Sequence, residues 1–191
     1  MKAESEIIHG KQLAQGDPER TWGWQTPAGQ LRAIRRAKLI IATACLKPGM
    51  NVLEIGCGTG LFTELFASTG INLVAVDISK DLLQIARNRK LPEDRVRFIE
   101  ARFEELDTND HFDAVIGSSI LHHLDVEKAF AKMIVFLKQG GVLCFAEPNM
   151  LNPQIIIQKN IPFIKKLLGD SPDETAFIRF HMKHLLKEVG F

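Results

Sequence analysis

Val52-Leu53-Glu54-Ile55-Gly56-Cys57-Gly58-Thr59-Gly60 is an apolar run that breaks into three alternating glycines. An apolar segment of this length reads as a buried strand, and glycine at every second position lets the following backbone turn tightly and bring its N–H groups close to a ligand. A strand feeding a ligand loop is the start of a nucleotide-binding α/β fold. The next apolar run, Ile71-Asn72-Leu73-Val74-Ala75-Val76, ends in Asp77, where a second strand would leave the sheet. A carboxylate at that place can accept both hydrogen bonds of a ribose diol.

Two cofactor classes share those features. A dinucleotide fingerprint asks for G-x-G-x-x-G, but its third glycine position is Leu61, and the glycine falls one residue early at Gly60. With Glu54 ahead of the three glycines and Val76-Asp77-Ile78-Ser79 downstream, the chain resembles the class I S-adenosylmethionine-dependent methyltransferases. Phe112-Asp113-Ala114-Val115-Ile116-Gly117-Ser118-Ser119-Ile120-Leu121-His122-His123-Leu124 is similar to that family's fourth strand and exit loop. Leu137 to Glu147, through Gly140-Gly141, is similar to its glycine turn and fifth strand.

The resemblance implies an α/β fold with a doubly wound, mostly parallel, Rossmann-like sheet. Gly56, Gly58 and Gly60, with the N–H groups of Cys57 and Thr59, would line the methionine part of S-adenosyl-L-methionine. Asp77 would hold the ribose, Ile78 would lie against the adenine, and Ser118 would border the cofactor. Glu54 would support the loop, or be no more than a capped carboxylate. After the third strand the family places an acidic residue toward the adenine amino group, and here that position is Arg102. Arginine only donates, so Arg102 either stacks on the ring or is a surface charge, and the N–H of Phe103 remains to serve the adenine.

Methyl transfer from a sulfonium is an in-line displacement that needs the acceptor held close and water excluded. A base is needed only where the acceptor must lose a proton. His123 and His181 are the candidates, against the alternatives that His122 and His123 shape the turn before Asp125 and that His181 faces solvent. The fourth-strand exit lacks the proline-aromatic signature of amino-methylating DNA enzymes and the paired glutamates of protein arginine methyltransferases. It offers no acidic cluster for magnesium, so no metal site is expected.

The 191 residues are 46% hydrophobic with a formal charge of +1, which suits one domain with a sizeable core and no global attraction for nucleic acid. Cys45, Cys57 and Cys144 form no CxxC pair, as expected of reduced thiols in a cytoplasmic protein. No signal-peptide core or membrane-length run is visible, so no integral membrane segment is expected. A small-molecule acceptor is the expected partner.

Residues 1–47 read as an irregular lead-in, with Trp22-Gly23-Trp24, followed by an amphipathic lid helix from Pro27. Residues 48–147 read as the cofactor-binding core, 148–177 as an insert or substrate cap, and 178–191 as a last helix. Strands are expected near 51–56, 72–77, 95–99, 112–117 and 141–147, and a helix over 125–138. By the resemblance, two further strands of a seven-stranded sheet would follow Phe191, so the chain reads as a truncated version of a longer protein whose open sheet edge invites self-association. An alternative function is a non-catalytic module whose 152–177 insert, mixing lysine with bulky aliphatics, engages a protein or membrane.

Overall fold

A computed structural model describes residues 2–161, 163–164, 177 and 179–188. Five strands, β1 (Asn51–Ile55), β2 (Asn72–Asp77), β3 (Val96–Glu100), β4 (Phe112–Ser118) and β5 (Leu137–Ala146), form one sheet in the order β3-β2-β1-β4-β5, and every pairing is parallel. The chain runs outward from β1 through β2 to β3, then crosses back to β4. That reversal puts the switch point between β1 and β4, where an open α/β sheet parts its loops into a ligand crevice.

Residues alternate between the two faces, as the two-residue period of a strand requires. Val52, Leu73, Ala114 and Ile116 pack with Phe66, Ile71, Ala37 and Ile40, residues that belong largely to α3 (Pro27–Thr43) and α4 (Leu61–Ala67). Leu53, Ile55 and Val115 pack on the opposite side with Phe130, Met133 and Phe136 of α6 (Val126–Phe136). Covering both faces lets the central strands be apolar throughout, and Val52, Leu53 and Ile55 are almost wholly buried. The α5 helix (Lys80–Arg87) follows β2, with the Ser79 hydroxyl capping it through the Leu82 N–H at 3.3 Å.

The structure departs from the sequence reading at two places. Residues 1–26 are not an irregular lead-in, because α1 (Lys2–Ala14) and the short α2 (Pro18–Thr21) occupy most of them. Alanine, glutamate, lysine and glutamine favour helix over α1, while its few apolar residues give no clear stripe. The helix is seated by a close approach instead: a Cβ on Gly10 would lie 2.4 Å from Ser79 Oγ.

The second departure is at β5, which starts at Leu137 rather than 141 and shortens α6 accordingly. Gly140, with φ of +76°, and a register shift opposite Phe112 and Ala114 absorb the glycine pair inside the strand as an irregularity. Beyond β5, α7 (Pro153–Asn160) is capped by Asn152, and α8 (Arg179–Glu188) packs Met182, Leu185 and Leu186 against the α6 side of the core. No helix among the described residues is long and apolar enough to cross a membrane.

Candidate functional site

The loops after β1, β2 and β4 open on a cleft of about 640 Å³, roofed by α1, α2 and the start of α3. Gly56, Gly58 and Gly60 all have positive φ, at +70°, +53° and +77°. Their surroundings differ. A Cβ on Gly56 would lie 2.4 Å from Ile120 Cδ1, and one on Gly60 would press on Ala86 at 3.0 Å. A Cβ on Gly58 would meet only Trp22, at 3.9 Å, so this glycine leaves its space to the cleft.

Asp77 ties the loop to β2. Its Oδ2 accepts from the Gly58 N–H at 2.7 Å and its Oδ1 from the Ser79 N–H at 2.8 Å. Burial raises the Asp77 pKa, with those two N–H groups and the charge of His123 opposing the rise and Glu6 adding to it. Each oxygen keeps acceptor capacity beyond one bond, and the residue lines the cleft, so a ribose diol there would find its acceptor. The N–H groups of Gly56 and Cys57 both donate to the Val76 carbonyl, at 2.8 and 3.2 Å. Cys57 lines the cleft as well, with its N–H turned to β2. The Thr59 N–H has no protein partner among the described residues.

Glu54 lies beneath the loop rather than in the cleft. It is 2% exposed and accepts from Thr63 Oγ1 at 2.7 Å, tying β1 to α4. Burial is the main cause of a pKa of about 8, relieved by Thr63 and reinforced by the charge of Asp77. At neutral pH this group is largely a protonated carboxyl, which suits a support and not a direct cation ligand. Cys57 is buried and its thiol is pushed well up by burial, then by Asp77 and Glu54, so the sulfur is unreactive.

The two adjacent histidines have separate places. His122 is buried, with Nδ1 2.7 Å from Glu147 Oε2, while Glu147 Oε1 accepts from the N–H groups of Ile120 and Leu121 at 2.7 and 3.0 Å. This pair shapes the β4 exit. His123 lines the cleft, with Nδ1 3.0 Å from Glu6 Oε1 of α1. Asp125 stands at the N-cap of α6, but its carboxylate pairs with Lys128 at 2.8 Å and makes no capping bond to the helix backbone.

Ile78, Arg102, Phe103 and Ser118 also line the cleft. Arg102 pairs with Glu105 at 3.0 Å and is 42% exposed, in keeping with a surface charge at the rim. The Ser118 hydroxyl accepts from Arg36 Nη1 at 2.9 Å. His181 lies in α8, and its side chain is outside the described residues.

Sequence reasoning did not single out Arg36 or Glu6. Arg36 borders the Ala33, Ala37 and Ile40 stripe of α3, one turn after Arg32, and that spacing was the available signal. Glu6 carried none, since its helix was not expected. Trp22 and Trp24, read as part of the lead-in, both line the cleft, and Trp24 meets Phe62 edge-on at 5.6 Å.

A family model for the methyltransferase domain matches residues 53–145. The ubiquinone biosynthesis O-methyltransferase of Alkalilimnicola ehrlichii is 32% identical over 155 residues, 77% of this chain and 62% of that protein. A demethylmenaquinone methyltransferase of Renibacterium salmoninarum is 36% identical over 62% of this chain and 49% of its own length. Among solved structures, the N-methyltransferase NodS from Bradyrhizobium japonicum, in complex with S-adenosylhomocysteine, aligns with a TM-score of 0.64 at 22% identity, over 76% of this chain and 74% of that one. Residues 53–145 belong to the methyltransferase domain family, and the sheet that carries them has the Rossmann-like fold of the class I S-adenosylmethionine-dependent methyltransferases. The chain spans about half to three fifths of the length of the two curated relatives.

Proposed function

We propose that this chain transfers a methyl group from S-adenosylmethionine to oxygen, nitrogen or carbon of a small-molecule acceptor. The observation that carries the reading is the glycine loop, whose Gly58 leaves space to the cleft while its N–H is fixed by Asp77, the residue suited to a ribose. The cofactor supplies an electrophilic methyl group on a sulfonium. The chain's own residues bind, orient and exclude water: Asp77 and the loop hold the adenosine end, and Trp22, Trp24 and α1 roof the cleft.

For an acceptor that must lose a proton, His123 is the base candidate. It lines the cleft, and Glu6 holds its Nδ1, which leaves Nε2 as the nitrogen to take the proton. The insert acts as a substrate cap in this reading, supported by Gln154 and Ile155 of α7 on the cleft wall. Titration calorimetry with S-adenosylhomocysteine, followed by incubation with methyl-labelled cofactor and a small-molecule extract, tests the proposal. Binding with label entering the small-molecule fraction is expected. No binding, or binding without transfer to any acceptor, would overturn it.

A second reading, a binding module without turnover, draws on one observation. Leu151, Ile156, Ile157, Ile161 and Phe163 are all exposed, a concentration of apolar surface suited to a protein or membrane contact. Cofactor binding without transfer, together with retention on liposomes or on a partner, would favour it.

A further inference from the structure

The glycine loop is held from behind as well as by Asp77. Arg89 follows α5, and one edge of its guanidinium spans two partners: Nε donates to the Thr59 carbonyl at 2.7 Å, and Nη2 pairs with Glu19 Oε1 of α2. The Thr59 hydroxyl donates to that same Glu19 oxygen at 2.8 Å, and Arg89 Nη1 pairs with Glu64 of α4 at 2.5 Å. Thr59 is thus clasped at its carbonyl and at its side chain. The Arg89 and Glu19 side chains are 18% and 20% exposed, so the clasp is largely shielded from water, where charge-assisted hydrogen bonds keep their strength.

Two parts of the cleft hang on this clasp. Thr59 lines the cleft, and its N–H, which has no protein partner among the described residues, follows Gly58, the glycine that leaves its space to the cleft. The main-chain carbonyl of Glu19 accepts from the Trp24 N–H at 2.7 Å, and Trp22, which closes α2, is the residue that a Cβ on Gly58 would meet. Glu19 therefore sets the tryptophans beside the loop with its main chain while its carboxylate grips the loop itself. Gly60 packs on the Arg89 stem, where an added Cβ would lie 3.2 Å from Cδ.

Neither Glu19 nor Arg89 lines the cleft, so both act through the residues they hold. We infer that Arg89 and Glu19 are positioning residues for the cofactor: together they keep Thr59 and Trp22 at one spacing, so the loop is set before S-adenosylmethionine arrives and binding does not have to order it. The inference rests on the proposed use of that cofactor and adds two residues outside the cleft wall that set its affinity. The bridge from a carbonyl to a carboxylate suits the planar fork of arginine, whereas the ammonium of lysine keeps the charge and loses the fork.

Calorimetry of the full chain with S-adenosylhomocysteine tests this. Arg89→Met keeps an aliphatic stem against Gly60 and removes the fork, and affinity is expected to fall about tenfold. Arg89→Lys should lose only about threefold, a partial rescue that packing alone would not produce. Glu19→Ala should also lose about tenfold, and the two substitutions combined should again lose about tenfold rather than about 100-fold, because both break one clasp. Trp22 and Trp24 are the only tryptophans of the chain, so emission of the ligand-free Arg89→Met variant should move to longer wavelength as Trp22 leaves the loop for water.

An Arg89→Met variant that is folded by circular dichroism and binds S-adenosylhomocysteine within about threefold of the unsubstituted chain would overturn the inference. So would losses that multiply in the combined variant, since the two residues would then act separately, or an unshifted tryptophan emission. Should Arg89→Met unfold, Thr59→Val carries the readout: it keeps the shape of the side chain and removes only its hydrogen bond to Glu19, and unchanged affinity there overturns the clasp. Failure of the unsubstituted chain to take up S-adenosylhomocysteine would overturn the methyl-transfer reading itself, and is seen before any variant is compared.

Discussion

The β2 and β4 sides of the cleft are built in different ways. On the β2 side, Asp77 is fixed by main-chain N–H groups of Gly58 and Ser79, so its position follows from the backbone path of two loops. On the β4 side, Arg36 is fixed by two hydroxyls and two aromatic rings, all of them side chains drawn from the β4 exit, the segment before α3 and α4. A seat built from backbone depends on a short stretch of glycines and one carboxylate. A seat built from side chains depends on residue choices far apart in the chain, and one such choice can change what it accepts.

Substitutions on the β2 side should therefore act on the cofactor most strongly. Asp77→Ala removes the proposed ribose acceptor and releases the Gly58 and Ser79 N–H groups, and affinity for S-adenosylhomocysteine is expected to fall by about 100-fold, on the order of 3 kcal/mol. A loss below about threefold by calorimetry would break the comparison. Gly56→Ala should follow: its Cβ meets Ile120, and its φ of +70° strains any other residue, so a stability loss of about 2 kcal/mol is expected by urea denaturation.

Glu54→Gln sharpens the account of what lies under the loop. A carboxyl whose pKa is raised to about 8 on folding binds its proton more tightly folded than unfolded. Its stability contribution is thus intact below the unfolded value near 4.5 and is lost as pH rises toward 8. The glutamine variant should lack that loss and be more stable above pH 8 by about 2 kcal/mol, while matching the parent chain near pH 4. Equal slopes of stability against pH in the two proteins would count against it. The smallest effect belongs to Glu6→Gln, where a half-buried pair with His123 is weakened: about 0.5 to 1 kcal/mol, seen as faster proteolysis near the N-terminus with the core melting unchanged.

The same contrast explains what could be read in the sequence. The β1 strand, its three glycines and Asp77 were legible, because strand, turn and ligand chemistry there are encoded in neighbouring residues. The parallel, doubly wound sheet followed from the resemblance of three short segments. The β4 side was not legible in the same way. Ser118, expected to border the cofactor, does line the cleft, and its hydroxyl also meets an arginine 82 positions earlier in the chain, a pairing that nothing local marks. His122 and His123 look alike in sequence, yet Glu147 holds one in the β4 exit and Glu6 holds the other at the cleft. The α1 helix was missed because its seat is a contact made by Gly10, and a glycine in sequence reads as a break in a helix.

That contact has a consequence for how this region tolerates change. Ser79 caps α5 with its hydroxyl, donates its N–H to Asp77, and receives α1 at Gly10. By helix propensity alone, Gly10→Ala should strengthen α1 by about 1 kcal/mol. The added methyl would have to occupy space 2.4 Å from Ser79 Oγ, so the sign reverses: a better helix former lifts the helix off its seat and disturbs the serine that positions Asp77. A hydrogen atom in place of a methyl group, some 67 positions upstream in the chain, thereby sets how well the Asp77 carboxylate is held.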